Sequence, residues 1–249
     1  MSHIKIKQLT YRFPDQSIGL DDISISLGKG EFVVIAGPNG SGKTTLCRHL
    51  NGLIPVKKNC ISINGLKLPE DVGKIRQLVG MVFQNTDHQL VGQTVYDEVA
   101  FGPENLKLSR KEIDQRVVQS LRTVGLMEYQ GRSPYTLSGG EKRKLAIAGV
   151  LAMNSKILVF DEPFSNLDYL GTKMVLDQIL KLHQAGHTIV IVTHELEKII
   201  AYADRLIVLE KGKIVMDDQP SVIIHEVEQF GIREPYSSKT GQGLVKWLN

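Results

Sequence analysis

Only two cysteines, Cys47 and Cys60, occur in 249 residues. They provide neither a disulfide framework nor metal-ligand spacing, which excludes a small cross-linked scaffold and suits a reducing cytosol. Long apolar runs are also missing. The longest, at 32–36 and 189–192, fall far short of the ~18 residues that mark a membrane span. Residues 1–10 alternate polar with apolar and do not read as a signal peptide. The expectation is a chain that neither crosses a membrane nor is addressed across one by itself, yet can dock onto a membrane protein. An excess of one charge is lacking too: the formal net charge is +3, from 30 basic and 27 acidic residues. That is too weak and too dispersed to point to nucleic acid, and the basic run Lys142-Arg143-Lys144 reads as a solvated helix face. No internal repeat or low-complexity segment is present. What remains, 42% hydrophobic and 23% charged, is ordinary globular composition, in a chain long enough for one large domain or two small ones.

Residues 3–13 read as a strand whose apolar phase changes between Ile4/Ile6 and Leu9/Tyr11/Phe13, which predicts a bulge or bend. Residues 20–27 alternate again, and GKGE at 28–31 is a turn. Three short runs follow: FVVIA at 32–36, ILVF at 157–160 and TIVIV at 188–192. Each is rich in β-branched residues, lacks polar alternation and leads into a helix-like segment, so they read as strands of a parallel α/β core buried on both faces. Roughly 85–155 reads as a helical insert. Within it, SRKE at 109–112 is a capping box, followed by a helical stripe of Ile113, Val117, Val118, Leu121 and Val124. A main domain over 1–220 and a short C-terminal extension over 221–249 follow, with SSKTGQG at 237–243 read as a flexible link to an amphipathic end.

The segment LSGGEKRKLAIAG at 137–149 contains an S-x-x-E capping box in Ser138 and Glu141. The box accounts for neither Gly139 nor Gly140, which cost backbone entropy at a helix start. Two glycines there also suit the close approach of an anion. A stronger anion signal lies upstream. GPNGSGKT at 37–44 matches G-x-x-x-x-G-K-[ST] in full, after a buried strand and before a helix. Gly37, Gly40 and Gly42 let backbone amides curl around phosphate oxygens, with Pro38, Asn39 and Ser41 between them and Thr45 following in the helix. Lys43 can reach the β- and γ-phosphates, and the Thr44 hydroxyl can ligate Mg²⁺. In ILVFDEP at 157–163, Asp161 ends a buried strand where a metal-holding acid belongs, and the adjacent Glu162 can polarise an attacking water. His194, just past the third run, can contact the γ-phosphate or the water; alone it reads more readily as a helix-capping histidine.

Over about residues 3–216 the chain resembles the ATPase subunit of ATP-binding-cassette transporters. The resemblance rests on GPNGSGKTT, Gln84 in MVFQN, LSGGE, ILVFDEP, SNLD at 165–168 and His194, in the family's order and at ordinary spacing. It implies the ABC ATPase fold: a RecA-like phosphate-loop core, an N-terminal antiparallel β subdomain and an inserted α-helical subdomain. It implies ATP and Mg²⁺ as cofactors, the metal lying near Thr44, Asp161 and Gln84. Gln84 would stand at the metal or the attacking water, and so counts with Glu162, His194 and Lys43 among the catalytic residues. Phe13, an ordinary strand aromatic by pattern alone, matches the family's adenine-stacking aromatic, with Tyr11 the weaker candidate. The resemblance further implies that Ser138, Gly139 and Gly140 bind the γ-phosphate held by a second cassette, a copy or a paralogue. Asp168 would then belong to the contact between the two sites. Here the signature ends in Glu141 where the family has Gln. Its carboxylate repels phosphate unless it turns into the capping box, and Lys142 and Arg143 can offset it.

Residues 83–106, with Gln89 and VAFGPENL, and LAIAGVLAM at 145–153 resemble the energy-coupling-factor and cobalt-transport importers. The partners this implies are a transmembrane coupling protein, received beside residues 85–93 where Asp87 can pair with a basic group, and a small substrate-binding membrane protein. The location implied is the cytoplasmic face of the cell membrane. The alternative is a soluble cassette ATPase acting on DNA or ribosomes. The DNA-acting kind carries a long coiled coil between loop and signature, and no sustained heptads separate Lys43 from Ser138 here. The ribosome-acting kind normally joins two cassettes in one chain. Glu162 and His194 speak against a regulator that only binds nucleotide.

Overall fold

A computed structural model of the protein describes residues 3–86 and 89–248. The chain begins with strands β1 (Ile4–Arg12) and β2 (Ile18–Leu27), then β3 (Phe32–Ala36) and helix α1 (Lys43–Leu50). Next come β4 (Ile61–Ile63), β5 (Leu66–Lys67), α2 (Val72–Leu78) and β6 (Val79–Val82). Three helices, α3 (Val95–Asn105), α4 (Arg110–Val124) and α5 (Gly139–Ala152), lie between β6 and β7 (Ile157–Asp161). The chain continues through α6 (Tyr169–Gln184), β8 (Thr188–Thr193), β9 (Arg205–Glu210), β10 (Lys213–Asp218), α7 (Pro220–Ile223) and α8 (Tyr236–Lys239).

The strands form two sheets. An antiparallel one has the order β2-β1-β4-β5, and a six-stranded one the order β10-β9-β3-β8-β7-β6. In the second, β9, β3, β8, β7 and β6 run parallel, and β10 alone is antiparallel to its neighbour. The three uniformly apolar runs are thus adjacent central strands, in register from Phe32↔Ile189 and Ile157↔Thr188. Their lack of alternation has a direct cause, because the sheet divides two cores. Phe32, Val34, Leu158, Phe160, Ile189 and Ile191 pack on one side with the helices of the 95–152 region. Val33, Ile35, Ile157, Val159, Val190 and Val192 pack on the other with the antiparallel sheet and α1. Both phases must be apolar when both faces are covered.

The phase change in β1 is a register shift against β2 between Ile6 and Leu9, with Gln8 at φ 47°. Three local readings differ from the structure. At the start of α4, Ser109 Oγ accepts from Glu112 N at 3.3 Å, but Glu112 does not complete the box; its carboxylate pairs with Arg116 at 2.8 Å instead. Val118 is only half-buried, and Ser120 takes the buried place in the stripe. The 237–243 stretch is no loose link. Gly241 N and Gln242 N donate to the carbonyls of Ser238 and Ser237. Beyond it Leu244, Trp247 and Leu248 pack back on the core, and Leu248 N donates to Tyr202 Oη at 2.6 Å. Glycine-rich polarity signalled flexibility; the apolar residues after it supply the anchor.

Candidate active site

The C-terminal ends of β3, β7 and β8 converge at a cleft of about 290 Å³. Ligands bind there in open parallel sheets because successive strand-to-helix loops meet at that edge. The loop after β3 forms the floor. Gly40 has φ 80° and Gly42 φ 101°, and a Cβ on Gly42 would sit 2.4 Å from the Gly19 carbonyl oxygen. Gly42 stands at the N-cap of α1 with no side chain satisfying the helix's first amides, and that first turn carries no acid. The helix end therefore presents free N–H groups and its partial positive charge to the cleft. Ser41 Oγ is buried beside this floor with no hydrogen-bond partner among the described residues. Asn39, Gly40, Ser41, Gly42, Lys43, Thr44 and Thr45 all line it, while Gly37 and Pro38 lie behind. Lys43 Nζ donates to the carbonyls of Gly37 and Pro38 at 2.8 and 2.9 Å. Burial pulls its pKa down, against the opposing charges of Glu162 and Asp161.

The two acids separate in role. Asp161, the last residue of β7, accepts from Thr44 Oγ1 at 3.1 Å. Burial, reinforced by the charge of Glu162, raises its pKa, with the Thr44 hydrogen bond opposing. A hydroxyl and a carboxylate side by side form a hard-oxygen donor set, and among the described residues no larger cluster of His, Cys, Asp or Glu gathers. Such a set suits Mg²⁺, which takes few protein ligands and shares the rest with phosphates. Glu162 turns out of the strand at φ 49° and lines the cleft with His194 and Gln84. Its Oε1 accepts from His194 Nδ1 at 2.7 Å and from His194 N at 3.1 Å, so His194 touches the acid directly. Its Oε2 accepts from Thr193 Oγ1 at 2.9 Å. Thr193 had no place in the sequence argument; its only signal is its position immediately before His194 at the end of a buried strand. Gln84 Nε2 donates to Ser165 Oγ at 3.2 Å. Phe13, 37% exposed, lines the cleft's other end and Tyr11 does not. Tyr11 backs Phe13 edge-on, with ring centroids 5.1 Å apart.

The signature residues do not line this cleft. Ser138 caps α5 in a complete box with Glu141, whose Oε2 accepts from Ser138 N and Oγ at 2.8 Å each. The carboxylate is thus turned into its own helix cap. Burial opposes its ionisation, but the bonds from Ser138 and Tyr129 and the charge of Lys144 together lower its pKa. Gly140 packs on α6: a Cβ there would lie 2.9 Å from Gly171 Cα, and one on Gly139 would lie 3.1 Å from Leu167. Asp168 caps α6, accepting from Gly171 N at 2.7 Å. Arg143 was grouped with a solvated face and an offset to Glu141, and the structure corrects both readings. It is 3% exposed and donates to the Phe83 carbonyl at 2.5 Å. Burial lowers its pKa to about 10, Asp161 opposing. Gln89 bridges Phe83 N and the Met81 carbonyl at 3.3 Å each, tying down the start of the 83–93 segment. Asp87 lies outside the described residues.

A glycine-built phosphate loop on a parallel sheet, with an acid pair and a histidine at the next strand ends, defines a nucleotide-binding protein of the phosphate-loop class. Residues 20–165 match the family model described as ABC transporter. The chain belongs to the ABC transporter ATP-binding family and is an ATP-hydrolysing subunit of that kind. It is 44% identical to an energy-coupling factor transporter ATP-binding protein, EcfA, of Methanosarcina acetivorans, covering 90% of this chain and 82% of that one. It is also 44% identical to the cobalt import ATP-binding protein CbiO of Syntrophus aciditrophicus, over 93% and 85%. The solved structure of cbiO1 from Clostridium perfringens, part of the ABC transporter complex cbiONQ, superposes with a TM-score of 0.83 at 30% identity, over 97% and 99%. Another ATP-binding cassette, solved as a dimer bound to ADP and Pi, gives 0.74 at 28%, over 87% and 98%.

Proposed function

We propose that the chain hydrolyses Mg-ATP to drive a membrane importer of the energy-coupling-factor or cobalt type, carrying a metal ion or a vitamin. The observation that carries the catalytic part is Glu162, aimed into the phosphate-loop cleft and held there by His194. Adenine stacks on Phe13, and the phosphates lie on the amides of residues 39–45, with Lys43 leaving its carbonyl partners to meet them. Thr44 and Asp161, with Gln84, hold Mg²⁺, which when bound neutralises phosphate charge. Glu162 orients the attacking water, and His194 stabilises the phosphoryl charge beside it.

Ser138, Gly139 and Gly140 lie away from this cleft, which supports their completing the site of a second cassette, a copy or a paralogue, with Asp168 at the contact. The relative solved as a dimer with ADP and Pi supports the same reading. Among the described residues no helix is long and apolar enough to cross a membrane. The names of the relatives, ATP-binding proteins of transporters and part of a transporter complex, support membrane partners and a peripheral place. We put that place on the cytoplasmic face, against a coupling protein and a small substrate-binding membrane protein. Val91, an exposed apolar residue within the 83–93 segment, suits the coupling contact. Replacing Glu162 with Gln removes the base and keeps the shape. Turnover then falls by about 10²-fold or more while nucleotide affinity is retained. Hydrolysis at the parent rate would place the base elsewhere.

A further inference from the structure

Thr193 is the last residue of β8 and is 1% exposed. A buried hydroxyl needs partners, and this one has them on both sides. Glu195 N donates to Thr193 Oγ1 at 3.0 Å. The hydroxyl has two acceptors in reach, Glu162 Oε2 at 2.9 Å and the Glu195 carbonyl at 3.4 Å, and the shorter bond is the one to Glu162. The other carboxylate oxygen, Oε1, is held by the backbone and ring of His194. A carboxylate accepts here, so Nδ1 is the donor in this contact. Glu162 N also donates to the Val192 carbonyl at 2.8 Å. Three consecutive residues at the end of β8 therefore fix both the backbone and the carboxylate of an acid standing at positive φ. Remove the Thr193 hydroxyl, and Oε2 has no partner among the hydrogen bonds of the described residues.

We infer that Thr193 is a positioning residue for hydrolysis. Its hydroxyl sets the rotation of the Glu162 carboxylate, so that one face of it is presented to the water beside the γ-phosphate. This rests on the reading of Glu162 as the base. The β-branch of Thr193 suits the strand, and valine would suit it equally, so the hydroxyl is the part that shape does not require. With the hydroxyl gone, His194 still holds Oε1 but Oε2 can swing, so the acid spends less time in the productive orientation. Misorientation of a catalytic group lowers turnover more than binding.

The test is Mg-ATP hydrolysis by the full chain carrying T193V, T193S, E162Q and the T193V/E162Q pair, with nucleotide affinity measured alongside. Loss of a hydrogen bond to a charged group predicts that T193V lowers kcat by about 10- to 100-fold. KM for ATP stays within about threefold, because the phosphate loop is untouched. T193S, which keeps the hydroxyl, recovers most of the rate. In the E162Q background T193V causes no further loss, since Thr193 acts through that acid. A parent-like kcat in T193V overturns the inference, and so does an equal slowing of the residual single-turnover rate in E162Q. If T193V does not fold, T193A against T193S isolates the same hydroxyl. Parent-rate hydrolysis by E162Q alone is a distinct failure: it removes the base assignment and the role of Thr193 with it.

Discussion

His49 shows how a side chain far from the chemistry shapes the site. It is 1% exposed and meets the Tyr11 ring edge-on at 5.0 Å, and Tyr11 in turn backs Phe13. Phe13, at the mouth of the cleft, therefore rests on a chain of rings that ends in helix α1. His49 Nδ1 lies 3.2 Å from the Ile54 carbonyl, and Nε2 is buried with no hydrogen-bond partner among the described residues. Burial lowers its pKa from 6.5, the Ile54 carbonyl opposing. The folded form then holds fewer protons than the unfolded one, so this contribution to stability is full above pH 6.5 and is lost as pH falls toward the folded value. His3 and His187 are shifted in the same direction, also by burial. The expected result is a lower melting temperature at pH 5.5 than at pH 7.5, with a smaller difference in His49→Gln, which keeps a donor for Ile54 and cannot titrate. An unchanged difference in the variant would assign the acid sensitivity to other groups.

At the scale of elements, the contact between α5 and α6 accounts for Gly140, one of the two glycines that capping leaves unexplained. On an isolated helix, Gly140→Ala would gain about 1 kcal/mol of helix propensity. Here the new Cβ would sit 2.9 Å from Gly171 Cα, with backbone rather than a flexible side chain in the way. The clash outweighs the propensity, so the melting temperature of Gly140→Ala falls; a rise would mean that α5 and α6 pack less closely than described. Ordinary sequence logic could not reach this, because Gly171 is distant in the chain. Local signals were legible where one neighbour decides them. β3, β7 and β8 announced themselves because a strand covered on both faces can hold only apolar residues, and the loop at 37–44 because phosphate chemistry fixes its glycines. Arg143 was misread because a basic run says nothing about which member turns inward to a carbonyl sixty residues away. Thr193 was missed because a threonine in a strand needs no function to be there.

At the scale of the whole molecule, the six-stranded sheet separates two cores and carries the nucleotide residues on one edge, while the signature helix faces elsewhere. The C-terminal stretch closes over the same body: Trp247 stacks near Tyr169 with centroids 5.2 Å apart, next to the Asp168 cap, and Tyr236 N donates to Glu197 at 2.8 Å in the segment after His194. Under the proposed function, the cleft of one cassette is completed by the signature of a second, and the ATPase works against a membrane partner. The most direct measurement is recovery of the tagged protein from gently solubilised native membranes, with its companions identified by mass. The account predicts a second cassette, a polytopic coupling protein and a small membrane protein in one complex. Recovery with ribosomes or DNA and no membrane protein would contradict it.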